Sequence, residues 1–149
     1  MHLAACNMSA RDSIARHLVS QPQPVYCFIQ VANWAVKAGF QPGQTVALFM
    51  ENRPEYIVTW LGLTKAGITI ALINSNNKKK PLVHSIDIAH CVSIIFGSEV
   101  SENVAGVLPE LQAKGISLFE FPEEDAPASD FAVNMRVEVR EDLSDSQNP

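Results

Sequence analysis

Apolar residues after position 27 alternate between a helical and a strand-like spacing, which predicts helices and strands in turn. The first helix has an apolar face before Gly39, where glycine can close the helix in a left-handed conformation. That face consists of Phe28, Val31, Ala32 and Ala35. After the turn residues Pro42 and Gly43, Thr45–Met50 is a short run that is apolar on both sides. Such a run suits a strand buried in a parallel sheet.

The second helix is predicted from its boundaries as well as from its spacing. Asn52 can cap the first turn, Pro54 suits the first helical position, and Gly67 marks the end. The i, i+3, i+4 and i+7 spacing predicts an inward face of Ile57, Trp60, Leu61 and Thr64. A second buried strand, Ile68–Ile73, follows directly and completes a helix–strand unit.

The chain up to position 121 repeats this pattern twice more. Pro81 begins a third helix, and Val92–Phe96 is a third strand that ends at Gly97. The inward face of the third helix is Leu82, Val83, Ile86 and Ala89. A fourth helical face follows at Val100, Val104, Val107, Leu108 and Leu111. Pro109 interrupts this face and predicts a kink or two short helices, since proline removes a helical hydrogen bond. Ile116–Phe121 is the fourth strand.

Strands that are separated by single helices predict an α/β fold. We expect a partial doubly wound, mostly parallel sheet with helices on both faces. Residues 27–121 form this domain, residues 1–26 an irregular leader, and residues 122–149 an acidic, largely disordered linker or tail. Apolar residues alternate from Val133 to Val139, which allows a short solvent-facing strand within the tail.

Composition and charge exclude some classes of function but do not identify one. The 149 residues suffice for one domain, and the formal net charge of −5 argues against a nucleic-acid partner. Residues 122–149 hold eight acids against two arginines, a charge of −6, which leaves +1 for residues 1–121. Cys6, Cys27 and Cys91 have no paired spacing, which favours a reducing compartment over a disulfide or zinc site. No apolar run reaches the ~18–20 residues of a membrane span.

Doubly wound folds bind ligands at the carboxyl ends of their strands, so the residues at those positions are the first candidates. The segment after the first strand, Met50–Pro54, contains no glycine, and both the dinucleotide fingerprint and the P-loop are missing from the sequence. Glu51 and Arg53 could be active-site charges or helix-cap and surface groups. We favour the second interpretation, because helix starts readily collect such residues.

Other chemically notable residues are more simply explained by structure. His84 and His90 miss the spacing of a helical metal pair, and Cys91 suits apolar packing. Trp60 is interpreted as core packing rather than as a stacking platform. Lys78–Lys80 could contact a phosphate or an anionic lipid, but three charges fall short of the ~4–8 of a lipid-binding cluster. The sequence therefore assigns no catalytic, cofactor-binding or metal-binding residue.

Four blocks with their spacers carry a more specific signal: Gly43–Tyr56 (GQTVALFMENRPEY), Trp60–Gly67 (WLGLTKAG), Ala71–Asn76 (ALINSN) and Lys80–Ile86 (KPLVHSI). Over about residues 30–121 the chain resembles the fatty-acid transport protein and very-long-chain acyl-CoA synthetase family. This family belongs to the AMP-binding, adenylate-forming enzymes. Several blocks with matched spacing are far more specific than one short motif.

The resemblance implies a parent enzyme that activates a long or very long fatty acid with ATP and Mg²⁺. That enzyme forms an acyl-adenylate, transfers the acyl group to coenzyme A, and supports fatty-acid uptake at the endoplasmic reticulum, plasma membrane or peroxisome. The family's catalytic motifs lie downstream of the matched region, and residues 122–149 contain none of them. We therefore expect an N-terminal fragment that is inactive alone, has no cofactor or transmembrane segment of its own, and is cytoplasmic if soluble.

Two other interpretations stay open. The first is a non-catalytic interaction module or pseudo-enzyme that self-associates through an exposed sheet edge. The second is an independent flavodoxin-like nucleotide-binding domain, against which the missing phosphate loop argues. The chain also departs from the family, since residues 1–29 do not match it and Asn77 stands where leucine is expected. These departures suggest a truncated gene model, a splice product or a degenerate copy.

Overall fold

A single parallel sheet organises the protein, as a computed structural model describes it for residues 28–123 and 128–135. Its five strands follow the order β2–β1–β3–β4–β5, and every neighbouring pair is parallel. The strands are β1 (Thr45–Phe49), β2 (Thr69–Leu72), β3 (Cys91–Gly97), β4 (Ser117–Phe121) and β5 (Val133–Asn134). The predicted doubly wound α/β fold is confirmed. The strand expected in the tail is present as β5, although residues 136–139 lie outside the described part.

Within the described part of the chain, five α-helices connect or precede the strands. They are α1 (Phe28–Lys37), α2 (Pro54–Lys65), α3 (Lys80–Ile88), α4 (Ser101–Ala105) and α5 (Leu108–Ala113). The break predicted at Pro109 is confirmed, because proline lies in the first turn of α5, where no helical hydrogen bond is lost. Gly39 and Gly67 have positive φ angles after α1 and α2, as expected of glycines that close helices.

Each face of the sheet has its own core. Alternate residues of β1 point to opposite faces, and Val46, Ala47, Leu48 and Phe49 are all fully buried. On one face, Ala47 and Phe49 join the core residues of α3, α4 and α5. On the other face, Val46 and Leu48 join those of α1 and α2. The central strand is therefore covered on both sides, as its uninterrupted apolar run predicts.

The predicted inward face of α2 is wrong. Ile57, Trp60 and Leu61 are 49%, 39% and 48% exposed, and Thr64 is exposed as well. The buried residues are Thr59, Gly62 and Leu63. Gly62 explains the rotation, because a Cβ placed there would lie 2.6 Å from Val31 Cβ and 2.7 Å from the Phe28 carbonyl oxygen. The backbone of α2 thus approaches α1 directly, and this contact decides which face turns inward.

Strand β2 also differs from its prediction as a buried strand. Among residues 28–123 and 128–135 it pairs with β1 alone, so it forms one edge of the described sheet. Its residues are half-buried or exposed, and Leu72 is 47% exposed. The apolar composition of the strand therefore reflects one covered side rather than two.

The first residues of two helices differ from expectation as well. Phe28 was predicted to face inward with Val31, but its carbonyl lies against Gly62 and its side chain is 40% exposed. Asn52 does not cap α2, because Arg53 is the N-cap residue, in an extended conformation without a side-chain capping bond. Pro54 begins α2 as predicted.

Candidate functional site

The carboxyl ends of β1 and β2 border an open cleft of about 490 Å³. Parallel strands bring their carboxyl ends to the same edge of a sheet, where doubly wound folds bind ligands. The lining residues come from the two segments that leave these strands: Met50, Glu51, Asn52, Tyr56, Ile73, Asn74, Ser75 and Asn76. Glu51, which the sequence analysis preferred to interpret as a helix-cap or surface group, is one of these lining residues.

The cleft has an apolar floor and a polar rim. Met50 and Ile73 are buried, whereas Glu51 and the asparagines are exposed. The Asn74 side-chain oxygen accepts a hydrogen bond from the Asn76 N–H at 2.9 Å, which shapes the loop after β2. Among the described residues that line the cleft, none is cationic. Its chemistry therefore suits neutral hydrogen-bonding groups or a cation rather than a chain of phosphates.

Arg53 joins the ends of three strands beside the cleft. Its Nη1 donates to Glu99 Oε2 at 2.8 Å, and its Nη2 donates to the Phe121 carbonyl at 3.1 Å. Its Nε donates to Glu55 Oε2 at 3.1 Å. The side chain is only 17% exposed. Arg53 therefore holds the N-cap position of α2 without a capping bond from its side chain, and this side chain forms a partly buried ion-pair network rather than a surface group.

Glu99 is the partner that the sequence did not reveal. Its Oε1 accepts the Glu51 N–H at 2.8 Å while its Oε2 binds Arg53. The Glu99 main chain is open to solvent, but its side chain is only 18% exposed. The one available signal was an acid two residues beyond Gly97, at the end of a predicted strand. An acid in that position has many surface explanations.

The Arg53–Glu99 pair lies at the topological switch point of the sheet. After β1 the chain crosses to β2 on one side, and β3 lies on the other side of β1. The crevice at such a point is the usual ligand site of a doubly wound fold. Here the two side chains pair with each other at this point, and the open cleft lies one strand away, at the ends of β1 and β2.

The remaining candidates do not assemble into a site. Lys78–Lys80 are exposed at the start of α3, and His84 and His90 are exposed too. Burial raises the pKa of the Cys91 thiol to about 11, which keeps it protonated and unreactive at neutral pH. Trp60, predicted to pack in the core, instead makes an edge contact with Tyr56 on the outside of α2.

Residues 28–123 and 128–135 contain neither a candidate metal cluster nor a helix that could span a membrane. No group of three or more His, Cys, Asp or Glu side chains is placed to hold a metal ion. No helix in this part has the length and apolar character needed to cross a bilayer.

Comparison with known proteins identifies relatives of this chain in sequence and in structure. It is 41% identical over 95 residues to long-chain fatty acid transport protein 1 of Rattus norvegicus and 42% identical to that of Homo sapiens, which confirms the resemblance. The match covers 64% of this chain and 14% of either relative. A Brucella canis acyl-CoA synthetase superposes with a TM-score of 0.66 at 16% identity, over 76% of this chain and 20% of that one.

An anthranilate CoA ligase, AuaEII, solved with anthranoyl-AMP, gives a TM-score of 0.67 at 17% identity, over 76% of this chain and 21% of that one. At such identities the solved structures establish the shared fold alone. The family model described as AMP-binding enzyme matches residues 29–145, which is most of the sequence. The chain therefore belongs to the AMP-binding enzyme family.

Proposed function

We propose that this chain is the N-terminal part of the AMP-binding domain of a fatty acid–CoA ligase of the fatty-acid transport type. The carrying observation is the 41–42% identity over 95 residues to long-chain fatty acid transport protein 1. The chain spans 14% of the length of those relatives, so the larger part of such an enzyme lies outside the matched segment. Residues 27–121 are the domain portion in this proposal, and residues 122–149 are an acidic linker.

The whole enzyme would join a long or very long fatty acid to the AMP part of ATP, with Mg²⁺, and release pyrophosphate. It would then transfer the acyl group to the thiol of coenzyme A and so retain fatty acid that has entered the cell. The role of this chain is to build one sheet and the polar edge at the carboxyl ends of its strands. We assign none of its residues to the chemical steps.

The charges at that edge support the assignment of a non-catalytic part. The cleft presents the Glu51 carboxylate and side-chain amides, and the Arg53 guanidinium is paired with Glu55 and Glu99. Binding a triphosphate calls for several cations or N–H donors that point at the phosphates. On this basis we expect the isolated chain neither to bind ATP tightly nor to form acyl-CoA.

A chimera tests the proposal. Residues 29–145 would replace the matching segment of rat long-chain fatty acid transport protein 1, and oleoyl-CoA formation from oleate, ATP and coenzyme A would be measured. We expect activity within about tenfold of the parent, since the replaced segment supplies no reacting group. The matched control is the same chimera with Gly62→Leu. The leucine side chain forces α1 and α2 apart, so this variant should neither fold nor form oleoyl-CoA. A folded chimera without activity contradicts the proposal, and turnover by the isolated chain contradicts the assignment as non-catalytic.

A second candidate, an interaction module that self-associates, is favoured by one observation. The outer side of α2 and the edge strand β2 both expose apolar residues: Ile57, Trp60 and Leu61 on the helix and Leu72 on the strand. Strand β2 carries no charge or proline to prevent pairing with another strand. Light scattering during size-exclusion chromatography should then show a dimer that Leu72→Lys disrupts. A monomer at a protein concentration of about 100 µM contradicts this candidate, because this concentration lies well above the dissociation constant of a functional dimer.

The flavodoxin-like alternative receives no comparable support. Its ligand site would lie between β1 and β3, where Arg53 and Glu99 already occupy the crevice. Calorimetric titration with ATP, FMN and NAD distinguishes this alternative, because binding of any of the three at micromolar concentration would favour it.

A further inference from the structure

We infer that Glu51, Arg53 and Gly97 form a carboxylate-binding position at the switch point between β1 and β3, and that Glu99 occupies it as a built-in ligand. The protein thereby closes, with its own side chain, the crevice in which doubly wound folds receive an external ligand. The inference concerns the isolated sheet and does not depend on the proposed ligase function.

The first support is the way in which the carboxylate is held. Each oxygen has a separate donor: the Glu51 N–H binds Oε1 at 2.8 Å, and Arg53 Nη1 binds Oε2 at 2.8 Å. A backbone N–H and a guanidinium at the end of a strand are the groups with which proteins hold the anionic part of a ligand. The partners lie 48 and 46 residues away in the sequence, so the contact depends on the fold.

The second support is the glycine beneath the carboxylate. A Cβ at position 97 would collide with both carboxylate oxygens of Glu99, and its nearest neighbours are all atoms of that carboxyl group. The φ angle of Gly97 is −86°, which any residue can adopt. The missing Cβ at position 97 therefore leaves the space that the Glu99 carboxylate fills, and a larger residue there would displace this carboxylate.

The third support is that Arg53 is held in place independently of Glu99. Its Nη2 donates to the Phe121 carbonyl and its Nε donates to Glu55. Neither contact involves Glu99, so we expect both to persist in a variant with a shorter side chain at position 99 and to keep the position formed for a replacement anion. Among the described residues, the Glu51 N–H and Arg53 Nη1 supply one donor for each of two oxygens, which matches a small monocarboxylate better than the three oxygens of a phosphate.

Chemical rescue tests the inference. Glu99→Ala removes the built-in ligand, and thermal unfolding is compared in sodium acetate and in sodium chloride of equal ionic strength. We expect saturating acetate to raise the Tm of this variant by about 3–5 °C over chloride. Wild type and the double variant Arg53→Met/Glu99→Ala should show no acetate-specific rise. An equal response in all three proteins, or none in Glu99→Ala, overturns the inference.

Gly97→Ala provides a second test that uses no added ligand. The new Cβ displaces the carboxylate, so this variant should match the Tm of Glu99→Ala, and combining the two changes should lower it no further. Additive losses would show that position 97 clashes with something other than Glu99 and would overturn the inference. If Glu99→Ala is unfolded at 25 °C, acetate should restore its far-ultraviolet circular dichroism. Failure of acetate to restore that signal counts equally against the proposal.

Discussion

Replacing Gly62 by alanine has two opposite effects on stability: a gain in helix propensity and a steric clash with α1. Alanine is the better helix former by about 1 kcal/mol per residue, so propensity alone predicts that Gly62→Ala stabilises α2. In the structure, however, the added Cβ would lie 2.6 Å from Val31 Cβ, 2.9 Å from Val31 Cγ1 and 2.7 Å from the Phe28 carbonyl oxygen. The two helices must move apart to admit the methyl group.

The expected loss follows from these distances. Carbon atoms in contact favour separations of about 3.5–4.0 Å, so the methyl group falls short by roughly 1 Å. The carbonyl of Phe28 belongs to the α1 backbone and cannot rotate out of the way. Overpacking costs about 1–3 kcal/mol, and the clash with a backbone atom places Gly62→Ala in the upper part of that range, at about 2–3 kcal/mol. The gain in helix propensity offsets about 1 kcal/mol of this cost. We therefore predict a net destabilisation of about 1–2 kcal/mol and a fall in Tm of about 3–8 °C.

Urea unfolding followed by circular dichroism measures this change. The matched control is Gly106→Ala at the end of α4, where the nearest atoms to a new Cβ are carbonyl oxygens at 3.5 and 3.6 Å. Gly106 has a φ of −65°, so alanine fits and stability should hold or rise by up to ~1 kcal/mol. If Gly62→Ala is as stable as wild type, the close α1–α2 contact is wrong, and with it the explanation of the face that α2 buries.

Two further changes probe the backbone and the buried thiol. Lys79 has φ 51° and ψ −127°, a conformation that strains a residue with a side chain, so Lys79→Gly should stabilise the protein by about 1 kcal/mol in urea unfolding. Lys78 does not have a positive φ, so Lys78→Gly should give no such gain in stability. An equal gain from both changes would refute the explanation by backbone strain at Lys79. Burial raises the pKa of Cys91 from 9.0 to about 11, so the folded state holds the thiol proton more tightly than the unfolded state does. The stability that this difference contributes is fully present below pH 9 and is lost as the pH rises toward 11. Between about pH 8 and pH 10.5, the free energy of unfolding of the wild type should fall by roughly 2 kcal/mol more than that of Cys91→Ala. Equal losses in the two proteins would contradict this prediction.

The order of the elements was predictable because it depends on local signals. Pro109 splits a helical face, Gly67 closes α2, and the run from Thr45 to Phe49 is apolar on both sides. Each signal acts within a few residues, so no distant contact is needed to interpret it.

The inward face of α2 was not predictable, since this helix carries two apolar stripes. One contains Ile57, Trp60 and Leu61, and the other contains Gly62 and Leu63. Periodicity favours the more hydrophobic stripe, whereas the fold buries the stripe that lets α1 approach. Glycine scores poorly on any hydrophobic scale, although its missing side chain decides the packing here.

The sequence by itself determined the alternation of helices and strands, their approximate ends, and the family to which the pattern is similar. Only the tertiary structure decided that β2 lies at an edge and that Arg53 meets Glu99 across 46 residues of sequence. The physical reason is the range of the forces involved. Turn chemistry and hydrophobic period act within a single element, whereas lateral strand order and ion pairing depend on which elements the collapsed core brings together.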